Sequence, residues 1–207
     1  MVKLSFNVYA YELDATLRVL RRGLDAAERG LAEEDRRVAA ETAEIDQRIA
    51  AGAESGYRYD DDGDLDYDPH ELLHYEETMI EETRQQVRKS LMVTLFHAWE
   101  RIVRELTRKN KPTDNFEAVR VALQDQGIVV QSAVDELRKL ANLVKHNSRQ
   151  KARALWAVRP DLFYPFFDPD QHFPNDWEQA VRINAEQVDA FFAAVVASGP
   201  VHPPRLP

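Results

Sequence analysis

Leu13-Asp14-Ala15-Thr16-Leu17-Arg18-Val19-Leu20-Arg21-Arg22-Gly23-Leu24-Asp25-Ala26-Ala27-Glu28-Arg29-Gly30-Leu31 decides the fold class of this 207-residue chain. Leu13, Leu17, Leu20, Leu24, Ala27 and Leu31 step by 4, 3, 4, 3 and 4, the period of one helix face. Beyond Leu31 the stripe thins. Glu34 and Glu41 fall where apolar residues are due, while Val38, Ile45 and Ile49 continue it to Gly52. The pattern predicts one long amphipathic helix over 8–52, its distal half projecting from the core.

Residues 52–69 hold Gly52, Gly56, Gly63 and the run Asp60-Asp61-Asp62-Gly63-Asp64-Leu65-Asp66-Tyr67-Asp68-Pro69, which repels itself and offers little to bury. A loop is predicted. An EF-hand register fails, because Gly63 in the sixth position would put Arg58 first and Pro69 last. A second helix is expected over 70–110, with Ile80, Val87, Leu91, Leu95, Ala98, Ile102 and Leu106 on one stripe and Phe96, Trp99 and Val103 widening it. Shorter helices follow within 113–159: one over 114–126 opened by Thr113 or Asp114, one over 132–146 capped by Ser132, and one over 148–157. In 160–175, Pro160, Pro165, Pro169 and Pro174 alternate with Phe163, Tyr164, Phe166, Phe167 and Phe173, which predicts an extended strap with its rings covered. A C-terminal helix over 176–198 and a frayed tail over 199–207 complete a single all-α domain: an elongated antiparallel helical hairpin with shorter helices forming a bundle.

Composition agrees. Apolar residues make up 44% and charged residues 30%, with 7 Gly and all 10 Pro at 69, 112 or from 160 onward. The absence of Cys excludes disulfides, thiolate zinc sites and a Cys nucleophile. No apolar run approaches membrane-spanning length, and the first residues lack a signal-peptide pattern, so a cytoplasmic protein with no membrane partner is expected. The net charge of −9 is uneven: residues 1–82 carry 9 basic and 22 acidic side chains, 83–159 carry 16 and 7, and 160–207 carry 2 and 7.

Two constellations carry chemistry. His70-Glu71-Leu72-Leu73-His74 has the letters of the HExxH zinc motif, yet it opens a helix directly out of an acidic loop. Helix geometry puts Glu100, a conceivable third ligand, roughly 40 Å away along the same helix. His70 and His74 are therefore weak metal candidates, a zinc hydrolase is a remote reading, and no cofactor is expected. Glu71 and His74 also form half of a di-iron pattern that has no second half.

The second constellation lies in 138–159, where Arg138, Lys139, Lys145, Arg149, Lys151, Arg153 and Arg159 occur without an intervening Asp or Glu. Steps of four place Arg138, Asn142 and His146 on one helix face, with Asp135 one turn earlier and Lys145 beside His146. A His at a helix end can move protons while cations hold a phosphate, which suffices for RNA cleavage because the 2′-hydroxyl is the nucleophile. Lys139, Arg149, Lys151 and Arg153 would extend such a site along the RNA, and Trp156 and the rings of 163–167 could stack on bases. A structural account assigns Asn142 to the backbone, His146 to a helix cap and the rings to packing. His97 and Glu100 lie one turn apart, and Glu100 is a candidate partner for Arg138 or His146.

The segment 80–163 resembles the HEPN superfamily of α-helical bundles, through Phe96-His97-Ala98-Trp99-Glu100, Ala141-Asn142-Leu143-Val144-Lys145-His146-Asn147 and Arg159-Pro160-Asp161-Leu162-Phe163. The resemblance implies a homodimer, RNA as substrate or ligand, a metal-independent endoribonuclease, and a role in toxin–antitoxin or phage-defence systems with an antitoxin or other protein partner. It implies a site of His146, Asn142, Arg138 and Lys145. The interval from Arg138 to His146 is longer than the family's usual spacing, and Asn142 stands four residues before His146. The alternative is a non-catalytic helical interaction module that presents its acidic hairpin to a basic partner.

Overall fold

The computed structural model describes residues 7–52, 57–59, 62–63, 65–111, 113–172, 174 and 176–201, with backbone alone at 65–67. The chain is all-α. Its helices are α1 (Val8–Ala50), α2 (Pro69–Thr107), α3 (Phe116–Gln124), α4 (Ser132–His146), α5 (Arg149–Trp156) and α6 (Ala185–Ala197). They form two compact units, one of residues 23–87 and the other of the remaining N-terminal residues with 88–201.

In the unit 23–87 the distal part of α1 and the first part of α2 run antiparallel. Asp46 lies 3.6 Å from His70, Arg37 donates to Glu76 at 2.7 Å, and Arg84 donates to Asp35 at 2.5 Å. The apolar contribution is small: Val38, Leu73 and Ile80 are buried, with Leu31 and Ile45 packed against them. Charge supplements it. Arg37 also bonds Glu34 and Glu41 within α1, and Arg84 also bonds Glu81. Partial burial works against the charge on Arg84, but Glu81 and Asp35 outweigh it and raise the guanidinium pKa.

The expected 52–69 loop contains two short strands, β1 (Arg58–Tyr59) and β2 (Leu65–Tyr67), paired antiparallel with Arg58 opposite Tyr67 and Tyr59 opposite Leu65. Asp60, Asp61 and Asp64 lie outside the described residues. Asp68 then opens α2 by accepting from the His70 backbone N–H at 2.8 Å, and Pro69 occupies the first helical position, where its missing N–H costs nothing.

The other unit is a helical bundle in which α4 packs on α5 and α6. Met92, Leu95, Phe96, Trp99, Ile102 and Val103 of α2, Leu137, Leu140 and Leu143 of α4, and Val188, Phe191 and Val195 of α6 are buried. The indole N–H of Trp99 donates to the Ser198 carbonyl at 2.9 Å, and the Ser198 hydroxyl accepts from the Gln131 backbone at 2.8 Å. Lys89, fully buried, donates to the Glu178 carbonyl at 3.2 Å, with the Glu178 carboxylate 3.9 Å away. Its position on the period of the buried stripe was the one signal in the sequence, and its polarity hid it.

Several boundaries differ from expectation for local reasons. Asn115, rather than Thr113 or Asp114, caps α3, accepting from the Ala118 backbone at 2.9 Å. Ser132 is the first residue of α4, not its cap, a place taken by Gln131. The last helix begins at Ala185 instead of residue 176, because Asn184 and Gln187 form a reciprocal capping box. The residues before it pair with the strap: Phe163 bridges Val181, the Tyr164 N–H donates to the Ala180 carbonyl at 3.0 Å, and the Arg182 N–H donates to the Leu162 carbonyl at 2.7 Å. Phe163 and Phe167 are buried and stacked at 4.9 Å, but Phe166 is 94% exposed. Phe173 and the tail residues 202–207 lie outside the described residues.

Candidate functional site

The α4 helix carries the site predicted from the sequence. Leu137, Leu140, Ala141 and Leu143 bury one face, which leaves Arg138, Asn142, Lys145 and His146 on the others. Asn147 ends the helix in the left-handed region at φ 41°, a conformation Asn tolerates better than most residues. Its side-chain oxygen accepts from the Glu178 N–H at 3.0 Å, which ties the end of α4 to the segment that also receives Lys89.

The structure divides the basic constellation into three. Arg138 donates to Asp135 at 2.9 Å, and Lys139 is hydrogen-bonded to the same carboxylate. Partial burial pushes the Asp135 carboxyl up, and the bonds from Lys139 and Arg138 overcome it, holding it below the usual carboxylate range. Arg138 also lies over the Phe116 ring, 4.9 Å from its centroid, and lines a cleft of about 520 Å³ together with Phe116, Glu117, Arg120 and Asp135. Nothing in the residue pattern points to this cleft beyond the polar face of α3.

Arg149 and Arg153 form the second group. Arg149 donates to the Pro169 carbonyl at 2.8 Å, and both guanidiniums reach Asp170, so they anchor the strap. Arg159 is held likewise by Glu136 at 2.9 Å and Asp161 at 2.7 Å. The third group is Asn142, Lys145 and His146 on the last two turns of α4. Lys145 and His146 are exposed, Asn142 is half-buried, and none of the three side chains has a hydrogen bond or ion pair among the described residues. Arg138 and His146 are separated by roughly 12 Å of helix axis at 1.5 Å per residue.

Other candidates are placed elsewhere. Glu100 does not meet Arg138 or His146; it bonds Arg104 at 2.9 Å and lies 3.4 Å from His97. The Trp156 indole donates to the Phe167 carbonyl at 3.0 Å, and the Phe167 ring meets Trp177 edge-on, so both side chains are engaged within the fold. Lys151 is half-buried on α5. His70 lies near Asp46, and His74 is 3.6 Å from Glu77; among the described residues no group of three or more His, Asp or Glu side chains is placed to hold a metal ion. No helix among the described residues is long and apolar enough to cross a membrane.

No protein family, curated protein or solved structure matches this chain, so any functional reading stands on its own residues.

Proposed function

We propose that the chain is a HEPN-like protein directed at RNA and acting as a metal-independent endoribonuclease of the toxin–antitoxin or phage-defence type. The observation that supports this reading is the Asn142–Lys145–His146 face at the end of α4, where Lys145 and His146 are exposed and none of the three side chains has a polar partner among the described residues. His146 accepts the proton of the 2′-hydroxyl as its oxygen attacks phosphorus. The bond to the 5′-oxygen breaks, and a protonated imidazole from a second copy returns a proton to it, leaving a 2′,3′-cyclic phosphate and a 5′-hydroxyl. Lys145 holds the phosphate, Asn142 orients it, and Arg138 contributes from farther along the helix after exchanging Asp135 for phosphate.

The pairing of Arg138, Lys139, Arg149, Arg153 and Arg159 with carboxylates favours a second reading, a non-catalytic interaction module. Incubating wild type and His146→Ala with mixed-sequence single-stranded RNA in EDTA separates the two. Cyclic-phosphate products from wild type alone support the ribonuclease, and no cleavage by wild type overturns it.

A further inference from the structure

On α2, Leu72, Tyr75 and Met79 are 48%, 62% and 47% exposed. At 100° per residue they fall within an arc of roughly 60°, one continuous stripe. Leu73 and Ile80, on the buried side of the same helix, already supply its contact with α1, so the stripe is additional to the hairpin's own packing. Helices that expose a large apolar row at this spacing are partner-binding faces more often than isolated surface residues are.

The surroundings specify the partner's charge. Residues 69–83 contain five Glu and no Lys or Arg, and the unit 23–87 carries 20 acidic against 6 basic side chains. Glu71 and Glu82 fall along one border of the stripe, and Glu76, which accepts from Arg37, lies along the other. We propose that the Leu72–Tyr75–Met79 face docks a Lys/Arg-rich amphipathic helix of a partner protein. Its apolar residues lie on the stripe and its cations face the bordering glutamates. Tyr75 supplies the large ring typical of an interface anchor, and Met79 adapts to the shape of the incoming side chains. A second copy of the same surface is a poor occupant, because pairing it with itself would juxtapose two acidic borders.

The test uses the full chain and a dye-labelled synthetic peptide of Leu and Lys with Leu at helical spacing, against a peptide of the same residues scrambled so that no apolar face forms. Fluorescence anisotropy should show the amphipathic peptide binding at least about tenfold tighter than the scrambled one, with affinity falling as salt rises. The triple variant Leu72→Ser/Tyr75→Ser/Met79→Ser should lose that preference while keeping the wild-type far-ultraviolet circular dichroism. Glu71→Gln/Glu82→Gln should weaken binding and flatten its salt dependence. Equal binding of the two peptides, or undiminished binding by the folded triple variant, overturns the proposal. So does no binding, or sedimentation showing that the stripe mediates self-association. His146→Ala should bind the peptide like wild type, which keeps this test separate from the ribonuclease reading.

Discussion

Arg159 donates to Glu136 at 2.9 Å across 23 residues of sequence, joining the turn after α5 to the first part of α4. Both side chains are largely covered, at 21% and 22% exposure, and the guanidinium also bonds Asp161 and lies 5.4 Å from the Phe191 ring centroid. A cation that the sequence offers to a phosphate is thus consumed by the fold.

Replacing Arg159 with Met should cost about 1–2 kcal/mol, because it leaves Glu136 and Asp161 without their shared donor. Urea unfolding at neutral pH measures it; a loss below a few tenths of a kcal/mol would show the pair to be ornamental. The hydrogen bond from Arg159 holds the Asp161 carboxyl below its usual range, more than offsetting its partial burial. A depressed folded pKa means stability that is present above the ordinary carboxylate value and lost as pH falls through the folded one. The wild-type advantage should therefore shrink in acid, below roughly pH 4, by about 0.5 kcal/mol or less for so exposed a carboxylate.

Phe166 stands at φ 66° in the turn closed by the Phe167 N–H to the Tyr164 carbonyl at 3.2 Å, a position that glycine occupies without strain. With its ring exposed, little packing compensates. Phe166→Gly should raise stability by about 0.5–1 kcal/mol in thermal or urea unfolding, and a loss instead would mean that the ring is held in place by something it contacts.

The unit 23–87 depends on few apolar contacts. Leu73→Ala should cost about 2–5 kcal/mol locally, and hydrogen exchange should report faster opening of 23–50 and 69–87 while α4 and α6 keep wild-type protection. Uniform acceleration over the whole chain would show that the two units unfold together.

If the ribonuclease reading holds, His146→Ala should reduce cleavage by about 10²–10⁴-fold, the usual contribution of a general acid–base group. Lys145→Ala should cost less, and Arg138→Ala should destabilise only slightly, by about 1 kcal/mol or less, because its ion pair is partly exposed. Substituting His146, which is exposed, should change unfolding free energy by no more than about 0.5 kcal/mol. Cleavage assays paired with urea curves on each variant separate chemistry from stability.

The sequence by itself determined the helices. The steps of 4 and 3 from Leu13 to Leu31, the apolar residues over 132–146 and the confinement of Pro to 69, 112 and beyond 160 are local features, and local backbone preference follows from them. It also placed Asn142, Lys145 and His146 at one helix end, since position on a helix is a matter of counting. The tertiary structure decided which cations remain available. Asp135 meets Arg138 and Lys139 within one helix turn and Asp161 lies two residues from Arg159, but only folding brings Asp170 within reach of Arg149 and Arg153 and Glu136 within reach of Arg159. It likewise buried Lys89 against Glu178 and exposed Phe166. Pairing energies depend on distance and burial, which no local pattern encodes, so the same run that reads as a polyanion site in one dimension is mostly an internal ion-pair network in three.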